Sequence, residues 1–246
     1  MHVIKLGGSL LENARRRGDA LREIAAAWNG GEQLVLVHGG GKHIDAMLAR
    51  LGIAKKTHAG LRITDDPTLD VVVSVLGGLV NKMLVSELTA LGVRAGGISG
   101  SDGGILVAEK HPPIDGVDLG NVGRIVTTNP LMIRSLLMCS ILPVVSSLAQ
   151  SREGGLLNVN ADSAAASLAV ALGAERLRFI TDVAGLLDAS GNVVPRLHAR
   201  AAEEFLVSSV VSGGMRPKLE AALHALRAGV HSIAIGEEGG TVLVAA

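Results

Sequence analysis

Two lysines and one aspartate of this sequence occupy positions where a charged side chain needs a specific partner. Lys5 interrupts the apolar pattern of residues 2–6, and Lys218 follows Pro217 at the start of a predicted helix. A lysine inside a sheet is rare without an anionic partner, and the positive end of a helix dipole disfavours a cation. Asp162 begins an alanine-rich helical segment and could hold both ammonium groups. Together these charges suit phosphoryl transfer, which needs positive charge around the oxygens more than covalent chemistry.

Glycine clusters follow two short apolar runs and could bind the oxygens of such a group. Gly7 and Gly8 follow the first run, and residues 39–41 are three glycines that follow the second, LVLVH. Backbone N–H groups of glycines at the carboxyl ends of parallel strands can approach an anion without obstruction from a Cβ atom. Structural turns use the same glycines, so the clusters alone leave both interpretations open. A Walker A motif, a strict G-x-G-x-x-G motif and zinc-ligand spacing are all absent from the sequence.

Two further segments carry candidate residues for binding a carboxylate. Residues 52–64 predict a β-hairpin, and Arg62 near its end could form bidentate hydrogen bonds to a carboxylate. A solvent-exposed arginine is the alternative at that position. Asn158, Asn160 and Asp162 alternate after an apolar strand, just before a helix. One cap explains only one of these three side chains, so the spacing favours a binding site.

The order of elements predicts how these residues are positioned. Short apolar runs with glycines at their carboxyl ends alternate with helical patterns, which is typical of βαβ units and a parallel sheet. At 246 residues the chain can form one large α/β domain or two lobes that share a sheet. A long helix is predicted over residues 65–91, with Asp65 as its cap and Pro67 in its first turn. Its apolar face and the pair Gly77–Gly78 suggest a dimer interface.

Composition argues against several classes of function. Lysine plus arginine equals aspartate plus glutamate, and only three side chains are aromatic, so binding of nucleic acid or of an anionic membrane surface is not expected. No uninterrupted apolar run is long enough to span a bilayer, and no leader pattern precedes the first strand. Cys139 lies in an apolar stretch and is expected to be buried in the core rather than catalytic. A single cysteine fits a reducing compartment, so we expect a cytoplasmic protein.

Eight sequence segments, in order and at matching separations, resemble the amino acid kinase family, and the resemblance covers essentially the whole chain. The segments are 4–8 (IKLGG), 37–41 (VHGGG), 60–64 (GLRIT), 80–82 (VNK), 142–146 (LPVVS), 158–162 (NVNAD), 181–186 (TDVAGL) and 213–218 (GGMRPK). The resemblance implies an α/β fold, an open αβα sandwich with a mainly parallel central sheet of the carbamate kinase-like type. Residues 1–152 would form an N-terminal lobe that binds the acyl amino acid and dimerises, and residues 153–246 a C-terminal lobe that binds ATP.

The same resemblance implies a reaction. The γ-phosphoryl group of ATP would pass in line to the side-chain carboxylate of N-acetyl-L-glutamate, giving N-acetyl-L-glutamyl 5-phosphate for arginine biosynthesis. Mg²⁺ would be held mainly by ATP rather than by a protein site. No general base is required, because the attacking carboxylate is already ionised at neutral pH. The expected assembly is a homodimer, and it is expected to be insensitive to arginine, because the arginine-inhibited members carry an additional N-terminal helix.

The resemblance also assigns roles to individual residues. Lys5 and Lys218 would stabilise the transition state, and Asp162 would organise them. The residues expected to bind phosphate or acceptor oxygens are Gly7 and Gly8 for phosphate, and Gly40, Gly41, Arg62 and Asn158 for the acceptor. The residues expected to line the nucleotide site are Asp182, Val183, Ala184, Gly185, Leu186, Leu187, Val210, Val211 and Ser212.

Two alternatives remain beside this interpretation. One is a related kinase for N-succinylglutamate or carrier-bound aminoadipate, although the NVNAD and GLRIT segments favour free acetylglutamate. The other is a non-catalytic homologue that binds a ligand and regulates. Such a homologue is expected to have lost Lys5, Asp162 or Lys218, and all three are present.

Overall fold

An eight-stranded sheet forms the centre of the molecule. The computed structural model describes residues 1–188, 190–207, 214–236 and 240–245. The strands are β1 (His2–Leu6), β2 (Leu34–His38), β3 (Thr57–His58), β4 (Leu61–Arg62), β5 (Ala95–Ser99), β6 (Leu106–Lys110), β7 (Val122–Thr128), β8 (Leu142–Ser146), β9 (Leu148–Ser151), β10 (Leu156–Val159), β11 (Arg176–Ile180), β12 (Arg196–His198), β13 (Ser232–Ile235) and β14 (Thr241–Val244). The α-helices are α1 (Gly8–Glu12), α2 (Ala14–Asn29), α3 (Gly41–Arg50), α4 (Asp66–Val73), α5 (Asn81–Ala90), α6 (Leu131–Met138), α7 (Ala161–Leu172), α8 (Ala199–Val207) and α9 (Met215–Arg227).

The strand order places the first strand inside the sheet. The order is β12-β14-β13-β11-β1-β2-β8-β5, and every neighbouring pair is parallel except β13 with β14. Lys5 of β1 is therefore opposite Val37 of β2 on one side and Phe179 of β11 on the other. This arrangement confirms the predicted α/β class with a mainly parallel sheet.

Apolar layers cover both faces of the sheet. In β1, Val3 packs into one buried cluster, whereas its neighbours Ile4 and Leu6 pack into the other. The first cluster includes residues of α7 and α9, and the second includes residues of α2, α4 and α5. Because both faces are buried, the central strands read as continuous apolar runs rather than as alternating patterns.

A smaller β-structure stands beside the sheet. Strands β6, β7, β10 and β9 pair in a closed ring, and in it Asn158 of β10 is opposite Val122 of β7. The predicted hairpin is also present, as β3 pairs antiparallel with β4. Its turn residues Ala59 and Gly60 have φ of 47° and 79°, the two positive angles that a tight type I′ turn needs.

The long predicted helix forms and contains a wider turn. Asp65 caps α4 by accepting from the Thr68 backbone N–H, and a π-helical segment, Ser74–Val80, joins α4 to α5. Among the described residues, the stretch Asp66–Ala90 is the one helix that is long and apolar enough to cross a membrane by length and composition alone. Leu84 and Leu88 are fully buried against the sheet layer, so its packing is that of a core helix.

Three local predictions are corrected by the structure. Cys139 is exposed, because it lies at the end of α6, where Ile133 is the buried residue. The sequence pattern predicts one helix over residues 12–29, whereas the helical chain begins at Gly8 and breaks at Asn13, whose side chain caps α2. The pattern also predicts a helix over residues 219–228, whereas α9 begins four residues earlier, at Met215.

Candidate functional site

Lys5, Asp162 and Lys218 meet in one buried triad. Lys5 Nζ is 2.7 Å from Asp162 Oδ1, and Lys218 Nζ is 3.0 Å from Asp162 Oδ2 and 3.1 Å from Oδ1. The three side chains are 8%, 9% and 7% exposed in the order Lys5, Asp162, Lys218. Lys218 Nζ also lies 5.3 Å from the centre of the Phe179 ring. Two ammonium groups share one carboxylate here, which leaves a net positive charge in a dry environment.

Three different elements deliver these side chains. Lys5 is in the central strand β1, Asp162 is in the first turn of α7, and Lys218 is in the first turn of α9. The Asn160 side chain caps α7 by accepting from the N–H groups of Asp162 and Ser163, at 2.8 and 3.0 Å. The cap therefore uses Asn160 alone, and the side chains of Asn158 and Asp162 are left for other contacts.

Charge and burial compete within the triad. Burial by itself raises the pKa of the Asp162 carboxyl, but the charges of Lys5 and Lys218 outweigh it and hold that pKa below its usual range. Burial lowers the pKa of Lys218, and the like charge of Lys5 lowers it further, against the opposing effect of Asp162. The carboxylate is thus held ionised between the two lysines.

A cavity of about 300 Å³ opens beside the triad and collects the predicted acceptor residues. Its lining includes Lys5, Arg62, Asn158, Asp162 and residues 39–41. The Arg62 side chain is only 11% exposed, so the solvent-exposed alternative for this arginine is wrong. Arg62 Nη2 donates to the Gly41 carbonyl at 3.1 Å and to Asp45, whereas its buried Nη1 has no partner among the described residues.

Asn158 is on β10 of the smaller β-structure and is held by a buried threonine. Its Nδ2 donates to Thr64 Oγ1 at 3.2 Å, and Thr64 is completely buried. Asn158 and Arg62 therefore both present polar groups to the same cavity from different elements.

A second cavity, of about 570 Å³, adjoins the first. Lys5, Gly8, Gly41 and Arg62 line both cavities, whereas Lys218 lines only the larger one. The larger cavity also receives the side chains of Lys42, Lys55, Asp182 and Val183, so its walls are rich in cations. The larger cavity is basic and shares Lys5 with the smaller cavity. This arrangement suits a polyphosphate chain in the larger cavity whose last phosphate meets a carboxylate in the smaller one.

The predicted nucleotide residues divide into three groups. Asp182 and Val183 line the larger cavity, but Ala184, Gly185, Leu186 and Leu187 do not. Leu186 is buried, and its N–H donates to Thr241 Oγ1 at 2.7 Å, which gives that residue a structural contact. The last group, Val210, Val211 and Ser212, lies outside the described residues.

The two glycines after β1 differ in role. The Gly7 N–H donates to the Ile180 carbonyl at 2.8 Å, so it is not available as the predicted phosphate donor. A Cβ at Gly7 would lie 3.0 Å from that carbonyl oxygen, which explains the glycine by close approach of two strand ends. Gly8 begins α1 and lines both cavities, and its role as a phosphate donor stays a prediction.

Sequence reasoning missed Asp45. This residue of α3 pairs with Arg62 and, at 2.8 Å, with Lys55. Burial raises the pKa of the Asp45 carboxyl, but hydrogen bonds from Lys55 and Arg62 prevail and lower it. No sequence signal marks Asp45, because its partners lie on the hairpin and the segment before it. Lys42 pairs with Glu12 at 3.0 Å and stays largely exposed.

Comparison with known proteins identifies the family. A sequence model described as the amino acid kinase family matches residues 1–237. Acetylglutamate kinases of Koribacter versatilis and Methanopyrus kandleri are 44% and 42% identical, over 95% and 96% of this chain and 88% and 94% of their own lengths. The crystal structure of smu.665 from Streptococcus mutans UA159 has a TM-score of 0.88 and 32% identity, and covers 99% of this chain and 98% of that one. Because the family model and these relatives match nearly the whole chain, the chain belongs to the amino acid kinase family.

Proposed function

We propose that the protein is a kinase that transfers the γ-phosphoryl group of ATP to the side-chain carboxylate of N-acetyl-L-glutamate. The product is N-acetyl-L-glutamyl 5-phosphate, an intermediate of arginine biosynthesis. The observation that carries this proposal is the buried Lys5–Asp162–Lys218 triad at the junction of a carboxylate-sized cavity and a larger basic cavity. The acetylglutamate kinases with which the chain aligns over most of its length support the choice of acceptor.

The acceptor occupies the smaller cavity in this proposal. Arg62 and Asn158 hold its α-carboxylate and amide end, and the buried Nη1 of Arg62 gains a partner, which it lacks among the described residues. The side-chain carboxylate then lies toward Lys5 and the N–H groups of Gly40 and Gly41. This carboxylate attacks directly, because it is ionised at neutral pH and needs no base.

ATP occupies the larger cavity, with its phosphates among the cations. Lys5 faces both cavities and is placed to follow the transferred group, whereas Lys218 faces only the nucleotide side and is placed on the leaving oxygen. Asp162 keeps the two ammonium groups at fixed positions before the phosphates arrive, so that little reorganisation is needed at the moment of transfer. Mg²⁺ enters with ATP and neutralises part of the phosphate charge.

The protein is further proposed to be a cytoplasmic homodimer that pairs through the helix of residues 66–90. In the apolar window of this helix only 44% of the residues are buried within the protomer. Leu79 is 52% exposed at the π-helical segment, and a Cβ added at Gly78 would meet no atom within 4 Å. A second copy would cover this apolar face.

We also propose that the chain divides into two lobes, residues 1–152 and 153–246, but the acceptor site is not confined to the first lobe. Asn158 and Asp162 belong to the proposed ATP-binding lobe, and yet both line the acceptor cavity. The acceptor would therefore be bound between the lobes rather than by the N-terminal lobe alone.

The test is ADP release from MgATP in the presence of N-acetyl-L-glutamate, N-succinyl-L-glutamate, glutamate or aspartate. Trapping with hydroxylamine converts an acyl phosphate into a hydroxamate, which identifies the product class. Turnover with N-acetyl-L-glutamate and formation of its hydroxamate support the proposal. Turnover only with another acid would overturn the choice of acceptor, and ATP hydrolysis without hydroxamate would overturn carboxyl phosphorylation.

A further inference from the structure

A buried polar network lies behind the glycines of residues 39–41, and the proposed reaction assigns it no role. His38 ends β2 and Asn81 begins α5, and both are completely buried. His38 Nδ1 is 2.9 Å from the Gly39 carbonyl oxygen, and His38 Nε2 is 3.0 Å from Asn81 Nδ2. Polar side chains at this depth are costly unless their hydrogen bonds are made, so the network invites a functional explanation.

The contacts of His38 determine its tautomer. A carbonyl oxygen only accepts, so Nδ1 must carry the proton that is donated to Gly39. Nε2 is then unprotonated and accepts from Asn81. Burial, followed by the neighbouring charges of His43 and Lys82, lowers the pKa of His38 to about 4 against the opposing effect of the Gly39 carbonyl, so the ring is neutral at physiological pH.

The amide of Asn81 is fixed in turn. Its Nδ2 faces three acceptors, which are His38 Nε2 and the carbonyls of Val144 at 2.9 Å and Ile98 at 3.2 Å. Its Oδ1 accepts from Lys82 Nζ at 3.1 Å. A flipped amide would place its oxygen against those carbonyls, so only this orientation is compatible with the surroundings.

The side chains around Asn81 are packed so closely that Gly97 cannot be replaced by a larger residue without moving them. A Cβ at Gly97 would lie 2.0 Å from Asn81 Oδ1, and Lys82 Nζ donates to the Gly97 carbonyl at 3.0 Å. The carboxyl ends of β2, β8 and β5 are thus joined to the start of α5 through one asparagine side chain. Such a connection is rigid, because moving it would leave several buried groups unpaired.

The consequence for the site follows from peptide geometry. In a trans peptide the C=O and the N–H point in opposite directions, and no cis peptide bond occurs among the described residues. Holding the Gly39 carbonyl on the His38 ring therefore directs the Gly40 N–H away from the ring. Residues 39–41 line the acceptor cavity, and no protein acceptor for the Gly40 N–H is found among the described residues. On its other side Gly40 packs so closely on Leu76 that a Cβ would lie 2.8 Å from it.

We propose that His38 and Asn81 are positioning residues that aim the Gly40 N–H at an oxygen of the bound carboxylate acceptor. Neither side chain lines the cavity, so each acts through the Gly39–Gly40 peptide. This inference rests on the proposed function, because it takes an anionic acceptor as the occupant of that cavity.

Two nearly isosteric variants separate this role from simple packing. An asparagine at position 38 keeps a hydrogen-bond donor where His38 has Nδ1. A leucine has nearly the same shape as that asparagine but has no donor. We expect His38→Leu to raise KM for N-acetyl-L-glutamate by about tenfold or more relative to His38→Asn, the effect of one hydrogen bond to a charged group. KM for ATP should be the same in both variants. Val35→Ala, a cavity variant in the same strand without a polar contact, should lose stability and keep the wild-type acceptor KM.

Equal acceptor KM values in the two position-38 variants would overturn the proposal. A measurement on the wild-type protein covers the case in which a variant fails to fold. Nitrogen-15 NMR of the histidine side chains should show His38 as the neutral Nδ1–H tautomer at pH 7, with an Nε2 that accepts a hydrogen bond, and the Nε2–H tautomer would contradict the geometry. Absence of turnover in the wild-type enzyme would instead refute the proposed function, and the NMR result would remain interpretable.

Discussion

At the scale of single residues, the two lysines of the triad differ in the space that they reach. Lys5 lines both cavities, and Lys218 lines only the larger one, although both contact the same carboxylate. In the proposed reaction, Lys5 would contact the phosphoryl group while it passes from the larger cavity to the smaller one. This contact would be strongest in the transition state, which is the condition for lowering the activation barrier.

Replacing either lysine should affect kcat more than binding. We expect Lys5→Ala and Lys218→Ala each to lower kcat by about 10²- to 10³-fold, the usual cost of removing one preorganised donor to a developing charge. KM for N-acetyl-L-glutamate should change by less than about threefold, since the lost contact belongs mainly to the transition state. Steady-state kinetics with both substrates varied measure the two parameters separately.

Lys110→Ala provides the matched control, because Lys110 is exposed at the end of β6 and lines neither cavity. It should retain wild-type kinetics. A change confined to KM in the Lys5 or Lys218 variant would remove the assigned role in the transition state.

Asp162 should make a contribution to stability that depends on pH. Its pKa is lowered in the folded protein, so its contribution is present above the unfolded pKa of about 3.9 and is lost as the pH falls through the lower, folded pKa. The lowered pKa of Lys218 has the opposite sense: the buried ammonium costs stability below its folded pKa, and this cost is lifted as the pH rises from the folded pKa toward the unfolded value of about 10.4. We expect Asp162→Asn to lose about 3 kcal/mol of unfolding free energy between pH 5 and 7, because it leaves two buried ammonium groups unpaired.

Urea unfolding of the wild-type protein and of Asp162→Asn at several pH values measures this difference. The deficit of the variant should shrink as the pH falls below about 4, where the carboxyl group of the unfolded wild-type chain takes up its proton before the folded carboxylate does. A deficit that stays constant down to pH 3 would show that the lost stability has another origin than this charge.

At the scale of elements, the hairpin β3–β4 is fastened to α3 by a carboxylate. Asp45 of α3 contacts Arg62 of β4 and Lys55 of the preceding segment, and Arg62 also reaches the first carbonyl of α3, that of Gly41. These contacts hold the Arg62 guanidinium at the smaller cavity, with one buried nitrogen that has no partner in the described part of the chain. The position of the hairpin and the binding of the acceptor are therefore linked.

Loss of this fastening should weaken acceptor binding. We expect Asp45→Asn to raise KM for N-acetyl-L-glutamate by about three- to tenfold, and Arg62→Ala to raise it by about tenfold or more. The double variant should resemble Arg62→Ala alone, because Asp45 acts through the arginine. A matched control is Asp115→Asn, since Asp115 is exposed and its partner is His58 of the same hairpin.

Strictly additive effects of Asp45→Asn and Arg62→Ala would show that Asp45 influences the acceptor by another route. An unchanged acceptor KM in Arg62→Ala would remove Arg62 from the binding site.

Some of these elements could be predicted from sequence, and the reasons for the failures are physical. The lysine in β1 is informative because a buried strand has few uses for one, and Asp65 with Pro67 announces a helix start by local chemistry alone. The role of Gly7 could not be predicted in this way. A glycine after a strand looks the same in the sequence whether its N–H binds a ligand or its missing side chain lets two strand ends approach each other. Whether Cys139 is buried or exposed depends on its position relative to the buried side of α6. The apolar composition of the surrounding sequence does not reveal that position.

Two contacts between distant segments were beyond sequence reasoning. Asn81 reaches His38 across 43 residues, and Asp45 reaches Arg62 across 17. Asparagine and aspartate on helices are ordinary surface residues in most proteins, so the local sequence of these two does not reveal their partners, although Asn81 lies in one of the family-like segments. Only the packing of the sheet against the helices reveals their partners.

At the scale of the whole molecule, the proposed dimer depends on the outer side of the helix over residues 66–90. This side exposes Leu79 beside Gly77 and Gly78. Two such faces can pack on each other around a two-fold axis, since each presents the same small and large side chains.

The dimer should depend on this face. We expect the wild-type protein to sediment at twice the protomer mass at micromolar concentration, and Leu79→Arg to shift it toward the protomer, because a buried unpaired charge is costly in an interface. Leu131→Arg is the matched control, as Leu131 is 66% exposed on α6, away from that face. Sedimentation velocity across a concentration series measures both. A dimer that survives Leu79→Arg and dissociates with Leu131→Arg would move the interface elsewhere.

The position of β1 inside the sheet has a consequence for the order of folding during synthesis. Its neighbour β2 is synthesised about thirty residues after it, but its other neighbour, β11, begins only at Arg176. Until then one side of the strand has unpaired N–H and C=O groups, and Lys5 has no counter-charge before Asp162 emerges. Sheet pairing over this sequence distance is slow because a long loop must close first. The buried Lys5–Asp162–Lys218 triad is therefore assembled among the last events of folding, and a nascent chain that has not yet emerged beyond α9, which carries Lys218, cannot complete it.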